Sequence, residues 1–148
     1  MNQVCIMPHI VLIEDNPSDI YLVNLALEEI GLVCEMTNFK NGADALLALC
    51  PAVGAPNQPL VPDLILLDLN TPSSDGFEVL DRIRGNPVLS DVPVAIFTSS
   101  ASPDDKHRAA LGGATTYIKK PTQLKAFLDS VGNAVKDLLA ETRSEIRS

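Results

Sequence analysis

Apolar residues along this chain gather in two alternating patterns. Short solid runs come first: "HIVLIE" (His9 to Glu14), "LILL" (Leu64 to Leu67), "VPVAIFTSS" (Val92 to Ser100) and "ATTYIKK" (Ala114 to Lys120). "LVCEMTN" (Leu32 to Asn38) alternates instead, with Leu32, Cys34 and Met36 on one face, and also predicts a strand. Each run is followed by a segment of helical period. In "NPSDIYLVNLALEEIG", Ile20, Val23, Leu27 and Ile30 recur at helical spacing, Asn16 suits the N-cap, Pro17 the first helical position and Gly31 the stop. Further helices are predicted at Asn41 to Cys50 and at Gly76 to Gly85. The next is capped by Ser102, with Pro103 behind it and Asp105 third in the helix. The last runs from Thr122 onward and carries Leu124, Phe127, Leu128, Val131, Val135, Leu138 and Leu139. The Asn41-Gly42 pair could turn a hairpin, but the helical pattern after it favours a cap. "PAVGAPNQPLVP" (Pro51 to Pro62) is a long surface loop.

Strand then helix, repeated five times, with most strands short and solidly apolar, predicts an α/β fold: a parallel sheet covered by helices on both faces. The 148 residues suit one domain, and 46% apolar residues suffice for a core. No second domain fits after Lys120, and residues 1–8 and 142–148 read as a tail and a frayed end. "MPHIVLIEDN" offers Met7 as a second candidate start.

Charge then narrows the function. A formal net charge of −8 with no basic stripe argues against nucleic acid and against an anionic membrane surface. No apolar run reaches spanning length, and "MNQVCIMPH" lacks the pattern of a signal peptide. Cys5, Cys34 and Cys50, an odd number without metal-ligand spacing, read as reduced packed thiols of a cytoplasmic protein.

In an open parallel sheet, ligands bind beyond the carboxyl ends of the strands. Four of the five predicted strands end in chemistry: Glu14-Asp15, Asp68, Thr98-Ser99 and Lys119-Lys120, the last followed by Pro121. Were the first and third strands neighbours, roughly 4.8 Å apart, their carboxylates would crowd one cleft. Like charges that close raise one another's pKa or call for a cation, and Mg²⁺ suits two or three carboxylates plus waters. An aspartate beside Mg²⁺, a hydroxyl and a lysine is a place for phosphoryl transfer. Asp68 would attack phosphorus, and Mg²⁺, Thr98 and Lys120 would neutralise the phosphoryl oxygens.

At this point "LIEDN", "DLILLDLNTPSSDGFEVL", "VAIFTSS" and "YIKKP" resemble the receiver domain of bacterial two-component response regulators, over nearly the whole chain from His9. Each motif alone is weak; four in order, each at a strand end, are specific. The resemblance implies a doubly wound five-stranded parallel sheet of order 2-1-3-4-5. It implies Asp68 as phosphoacceptor and a Mg²⁺ (or Mn²⁺) site served by Glu14 and Asp15, with Asp15 ahead as direct ligand. Asp68 and the backbone carbonyl of Asn70 complete the protein's share. It implies Thr98 as the switch hydroxyl, Lys120, directly before the proline, as the phosphate-binding lysine, and Tyr117 as the aromatic switch. A cis Lys120-Pro121 bond is implied, although an unaided X-Pro bond is cis only about 5% of the time. Within the family, "EDNPSDIYL" and the Pro-rich loop are most similar to single-domain regulators paired with phytochrome-type histidine kinases. The implied partners are a sensor histidine kinase or a phosphotransfer protein. Thr71 and Ser73-Ser74 depart from the usual apolar and basic residues beside the phosphoacceptor, which bears on partner preference. Asn70 and Ser100 occupy positions that tune phosphoryl lifetime in the family.

Plainer readings stand beside these. A lone strand-end aspartate is most often a turn residue, and Glu14-Asp15 would complement a helix dipole. Thr98, Lys120 and Tyr117 taken singly would be a cap or β-former, a solvated lysine and a strand aromatic. His9 and His107 read as structural or exposed. The last helix is more apolar than a bare receiver needs, so it either packs on its own sheet or supports a homodimer through the surface of helix four, strand five and helix five. Rival functions are a phosphorylation-independent adaptor, a small Mg²⁺-dependent phosphohydrolase with an Asp nucleophile, and a flavodoxin-like nucleotide or flavin module. The phosphohydrolase wants a second acid two residues on, where Asn70 cannot transfer protons. The flavodoxin-like module wants a phosphate loop where "EDNPSD" is acidic.

Overall fold

Ten elements alternate along the chain in the computed structural model, which describes residues 7–71 and 75–147, with side chains to 141. They are β1 (His9–Ile13), α1 (Pro17–Glu29), β2 (Glu35–Phe39), α2 (Gly42–Leu49), β3 (Leu64–Leu67), α3 (Gly76–Arg84), β4 (Val94–Thr98), α4 (Pro103–Leu111), β5 (Thr116–Lys119) and α5 (Leu124–Arg147). The strands form one parallel sheet in the order β2-β1-β3-β4-β5, as the resemblance implies. Residues 1–6 of the expected tail, Cys5 among them, and Pro72 and Ser73-Ser74 lie outside the described residues, and over 142–147 of the expected frayed end the backbone continues α5.

The two-residue period of the strands divides the core. Val11, Ile13, Ile65, Leu67, Val94 and Ile96 point to one side and pack under α2, α3 and α4. Ile10, Leu12, Leu64, Leu66, Ala95 and Phe97 point to the other and pack under α1 and α5. This is why β3 is apolar at every position, and β1 and β4 at every position but one end, His9 and Thr98. β2 is an edge strand, and Leu32, Cys34 and Met36 pack only against the second layer. Pairing of β2 begins at Glu35, later than Leu32, because Glu35 is the first residue with a β1 partner. Burial pushes the Cys34 thiol up, as suits a packed cysteine.

Local signals account for the helix starts. Asn16 accepts from Ser18 N and Asp19 N, Asn41 from Asp44 N, Asp75 from Phe77 N, and Ser102 from Asp105 N. Beyond α1, Gly31 takes φ +70°, a left-handed conformation that favours glycine. Of the apolar residues of α5, Phe127, Val131, Val135, Leu138 and Leu139 are buried on the sheet and Leu128 packs beside them, leaving Leu124 exposed. The helix therefore spends its extra apolar surface on its own domain. No described helix is long and apolar enough to cross a membrane.

Two tertiary features fix loops at opposite edges of the sheet, Arg84 at the amino edge of β4 and β5 and Gly76 at the carboxyl edge beyond β3. Arg84 reaches from α3 to the carbonyls of Gly113 (2.8 Å) and Val92 (2.7 Å), tying the α4–β5 turn to the loop before β4. Gly76 opens α3 against the backbone of Leu69, where an added Cβ would lie 2.6 Å from the Leu69 Cα. Gly76→Ala is expected to destabilise the fold by about 1–3 kcal/mol through this overpacking. Denaturant unfolding checks it; an unchanged midpoint would contradict the close approach.

Candidate functional site

Register creates the site. Ile13 pairs with Leu67, so the next residues, Glu14 and Asp68, emerge side by side at the carboxyl edge. The Asp68 N–H donates to the Ile13 carbonyl (3.0 Å), and the Glu14 N–H to that of Phe39 (2.9 Å). Asn38, on β2, donates its side-chain amide to the carbonyls of Leu12 and Glu14, fastening the end of β1. Both carboxyl groups are buried: Glu14 is fully covered and Asp68 is 4% exposed. A buried strand can end in two acids only if they find partners.

The partner is the ammonium of Lys120. It comes from beyond β5, where the Lys120 N–H donates to the Thr98 carbonyl (2.7 Å). Its Nζ lies 2.7 Å from Glu14 Oε2, 2.8 Å from Asp19 Oδ2 and 3.1 Å from Asp68 Oδ2. All three N–H bonds of the ammonium are thereby used. The Phe97 ring lies 5.0 Å below it, within cation–π range. Burial alone would lower the Lys120 pKa, but the hydrogen bonds it donates to Asp19 and Glu14 and the charge of Asp68 outweigh it and hold Lys120 above the ordinary lysine value. Glu14 shows the opposite balance. Burial, joined by the charge of Asp68, pushes it up to about 7 despite the hydrogen bond from Lys120.

Asp15 is the most open of the acids, and oxygens of Glu14, Asp15 and Asp68 lie within 4.8 Å of one another. With Asp19 the cluster holds four carboxylates, three of them on the one ammonium. Asp19 was not singled out in the sequence. It sits third in α1, where an acid reads as a dipole-complementing residue, and only the packing of α1 beside the sheet turns it toward Lys120. Lys119, by contrast, is exposed.

Thr98 is fully buried at the end of β4. Its hydroxyl oxygen accepts from the Asn70 side-chain amide (3.1 Å), while the Asn70 N–H donates to Asp68 Oδ1 (3.0 Å). Asn70 thus links the acid to the hydroxyl and is otherwise exposed. Tyr117 is set apart: its hydroxyl donates to the Ser100 carbonyl (2.9 Å), and the Ser100 hydroxyl donates to Asp105 (2.7 Å) at the start of α4. His9 is structural, its ring bonded to Thr37 Oγ1 (2.7 Å), and His107 is exposed. One expectation is corrected. No peptide bond among the described residues is cis, so Lys120-Pro121 is trans. Trans is the intrinsic preference of an X-Pro bond, by about 0.5–1 kcal/mol, and in this conformation Lys120 already satisfies both its N–H and its ammonium.

The sequence matches the family described as response regulator receiver domain over residues 10–132. Response regulator Rcp1 of Synechocystis sp. is 36% identical over 122 residues, covering 82% of this chain and 82% of that protein. The crystal structure of the phosphorylated cyanobacterial phytochrome response regulator RcpA is similar with a TM-score of 0.81 at 32% identity, covering 92% of this chain and 96% of that one. The Mn²⁺-bound form of Rcp1 gives a TM-score of 0.76 at 34% identity over 85% of this chain and 90% of that one. Sheet order, the acids and lysine at its carboxyl edge and these matches agree: the chain belongs to the receiver-domain family of two-component response regulators.

Proposed function

We propose that this receiver accepts a phosphoryl group on Asp68 from a sensor histidine kinase or phosphotransfer protein in the cytoplasm. The observation that carries the reading is the burial of Asp68 against the Lys120 ammonium, 3.1 Å away, with two further acids at hand for a cation. Asp68 Oδ would bond to phosphorus as the bond to the donor's leaving group breaks. Lys120 and the Thr98 hydroxyl would face the phosphoryl oxygens, and Asn70 would carry the change at Asp68 to Thr98 through the hydrogen bonds it makes to both. Ser100, held by Tyr117 and Asp105, would pass it to α4. The partner face is that of α4, β5 and α5, where Leu111 and Leu124 are exposed, whether for a downstream protein or a second copy. Similarity to the phytochrome response regulator RcpA supports a phytochrome-type kinase as donor. Asn70, two residues past Asp68, cannot move a proton, which favours a signalling acceptor over a phosphohydrolase.

The donor set fits Mg²⁺ or Mn²⁺. Glu14, Asp15 and Asp68 offer hard oxygen ligands close enough to share one ion, and the exposed Asn70 backbone carbonyl would join them. Such a cation would supply charge neutralisation of the phosphoryl oxygens.

Intact mass after incubation with acetyl phosphate and Mg²⁺ tests the proposal. One phosphoryl adduct is expected in the wild type and none in Asp68→Asn or with a chelator. An adduct that survives Asp68→Asn would refute the assignment, and none in a folded wild type would favour the adaptor reading.

Glu14 gives a pH prediction. Its folded pKa, about 7, lies above the ordinary 4.5, so its protonated form stabilises the metal-free fold. That contribution is fully present below about pH 4.5 and is lost as pH rises through about 7. In chelator, the melting midpoint is expected to fall between pH 6 and 8, with up to about 3 kcal/mol at stake across the whole shift. Mg²⁺ should then raise the midpoint more at pH 8 than at pH 6, and Glu14→Gln should flatten the difference. Equal Mg²⁺ stabilisation at both pH values would contradict this account.

A further inference from the structure

Lys120 and a divalent cation would compete for the same oxygens. Two of the three acceptors of the ammonium, Glu14 and Asp68, belong to the group whose oxygens lie close enough to share an ion. The third, Asp19, does not belong to it. Asp19 approaches from a different element, the first turn of α1. Its own N–H is fixed on the Asn16 side chain at 3.2 Å, so the carboxylate stands on an anchored turn. At 2.8 Å it lies nearer the ammonium than Asp68 does.

We infer that Asp19 is a positioning residue for Lys120: it keeps the ammonium beside Asp68 when a cation draws Glu14 and Asp68 away from it. This rests on the receiver reading above. Without Asp19, a Lys120 displaced from Glu14 and Asp68 has, among the described residues, the Phe97 face to hold it, and a four-carbon side chain with one weak contact regains its rotamer freedom. With Asp19, one N–H stays on a carboxylate while the others are free to meet the incoming phosphoryl group. The site thus divides its acids by task, three for the cation and one for the lysine.

The test follows the Lys120 ammonium directly by ¹H–¹⁵N NMR tuned to lysine side chains, in wild type, Asp19→Asn and Asp19→Glu, without and with saturating Mg²⁺. The expected result is a protected Lys120 ammonium signal that persists with Mg²⁺ in the wild type and in Asp19→Glu. In Asp19→Asn the signal is expected to be lost on adding Mg²⁺ while the backbone spectrum remains dispersed. A signal that survives Mg²⁺ in Asp19→Asn, or disappears in the wild type, overturns the proposal. Phosphorylation kinetics provide the second measurement. At saturating Mg²⁺, Asp19→Asn is expected to slow adduct formation about tenfold and to have no further effect in a Lys120→Gln background. Independent, multiplying losses would mean that Asp19 acts through the general field of the site and not through Lys120, which also overturns it. A wild type that forms no adduct would count against the receiver reading alone, because the ammonium signal decides the pairing without any phosphoryl group.

Discussion

One buried ammonium group holds the working edge of this protein together. Lys120 lies among Glu14, Asp19 and Asp68, which come from the end of β1, the first turn of α1 and the end of β3. Remove the lysine, and a fully covered glutamate and a nearly covered aspartate would face each other at the end of adjacent strands with no other cation paired to them among the described residues. Uncompensated charge at that depth costs several kcal/mol, roughly the scale of a domain's whole stability. Glu14 records the tension: even with Lys120 present, burial and its neighbour Asp68 push it up to about 7.

A site built in this way is poised for exchange. The four acids exceed the one ammonium, so the cluster retains an affinity for added positive charge, and a phosphoryl group on Asp68 would in turn draw on Lys120. Under the proposed function each ligand would alter what the others hold, and the response would spread along a short set of hydrogen bonds that ends in α4: Asp68 to Asn70, Asn70 to Thr98, and the Ser100 loop clasped by Tyr117 and Asp105. These contacts are few and polar, and they bridge loops, whereas the sheet beneath them is packed on both faces. Such a division lets the edge rearrange while the core stays fixed.

The rigid part has its own logic. β1, β3 and β4 are buried on both faces and carry solid apolar runs, so each run shows its end by the first polar residue after it. That polar residue falls at the carboxyl edge by construction. The functional acids therefore stand in the sequence immediately after the apolar runs, and fold and site are written in the same stretch of chain.

That coincidence explains what could be read early. The alternation of strands and helices, the N-caps at Asn16, Asn41 and Ser102, and the strand-end residues Glu14, Asp15, Asp68, Thr98 and Lys120 are all local patterns, and period or cap chemistry dictates them. Other features are not local. Asp19 looks like any acid in a first helical turn until α1 packs beside the sheet and carries it to Lys120, 101 residues away. Arg84 looks like a basic residue near a helix end until the α4–β5 turn presents the Gly113 carbonyl to it. Asn38 becomes a clamp only once β2 lies beside β1. The packing of α5 on its own sheet was likewise decided by three-dimensional neighbours. By itself the sequence determined which residues end the strands, because burial on two faces leaves no other place for a charge. Which of those charges meet was decided only by the tertiary structure, because pairing depends on strand order and helix packing between residues far apart in the chain.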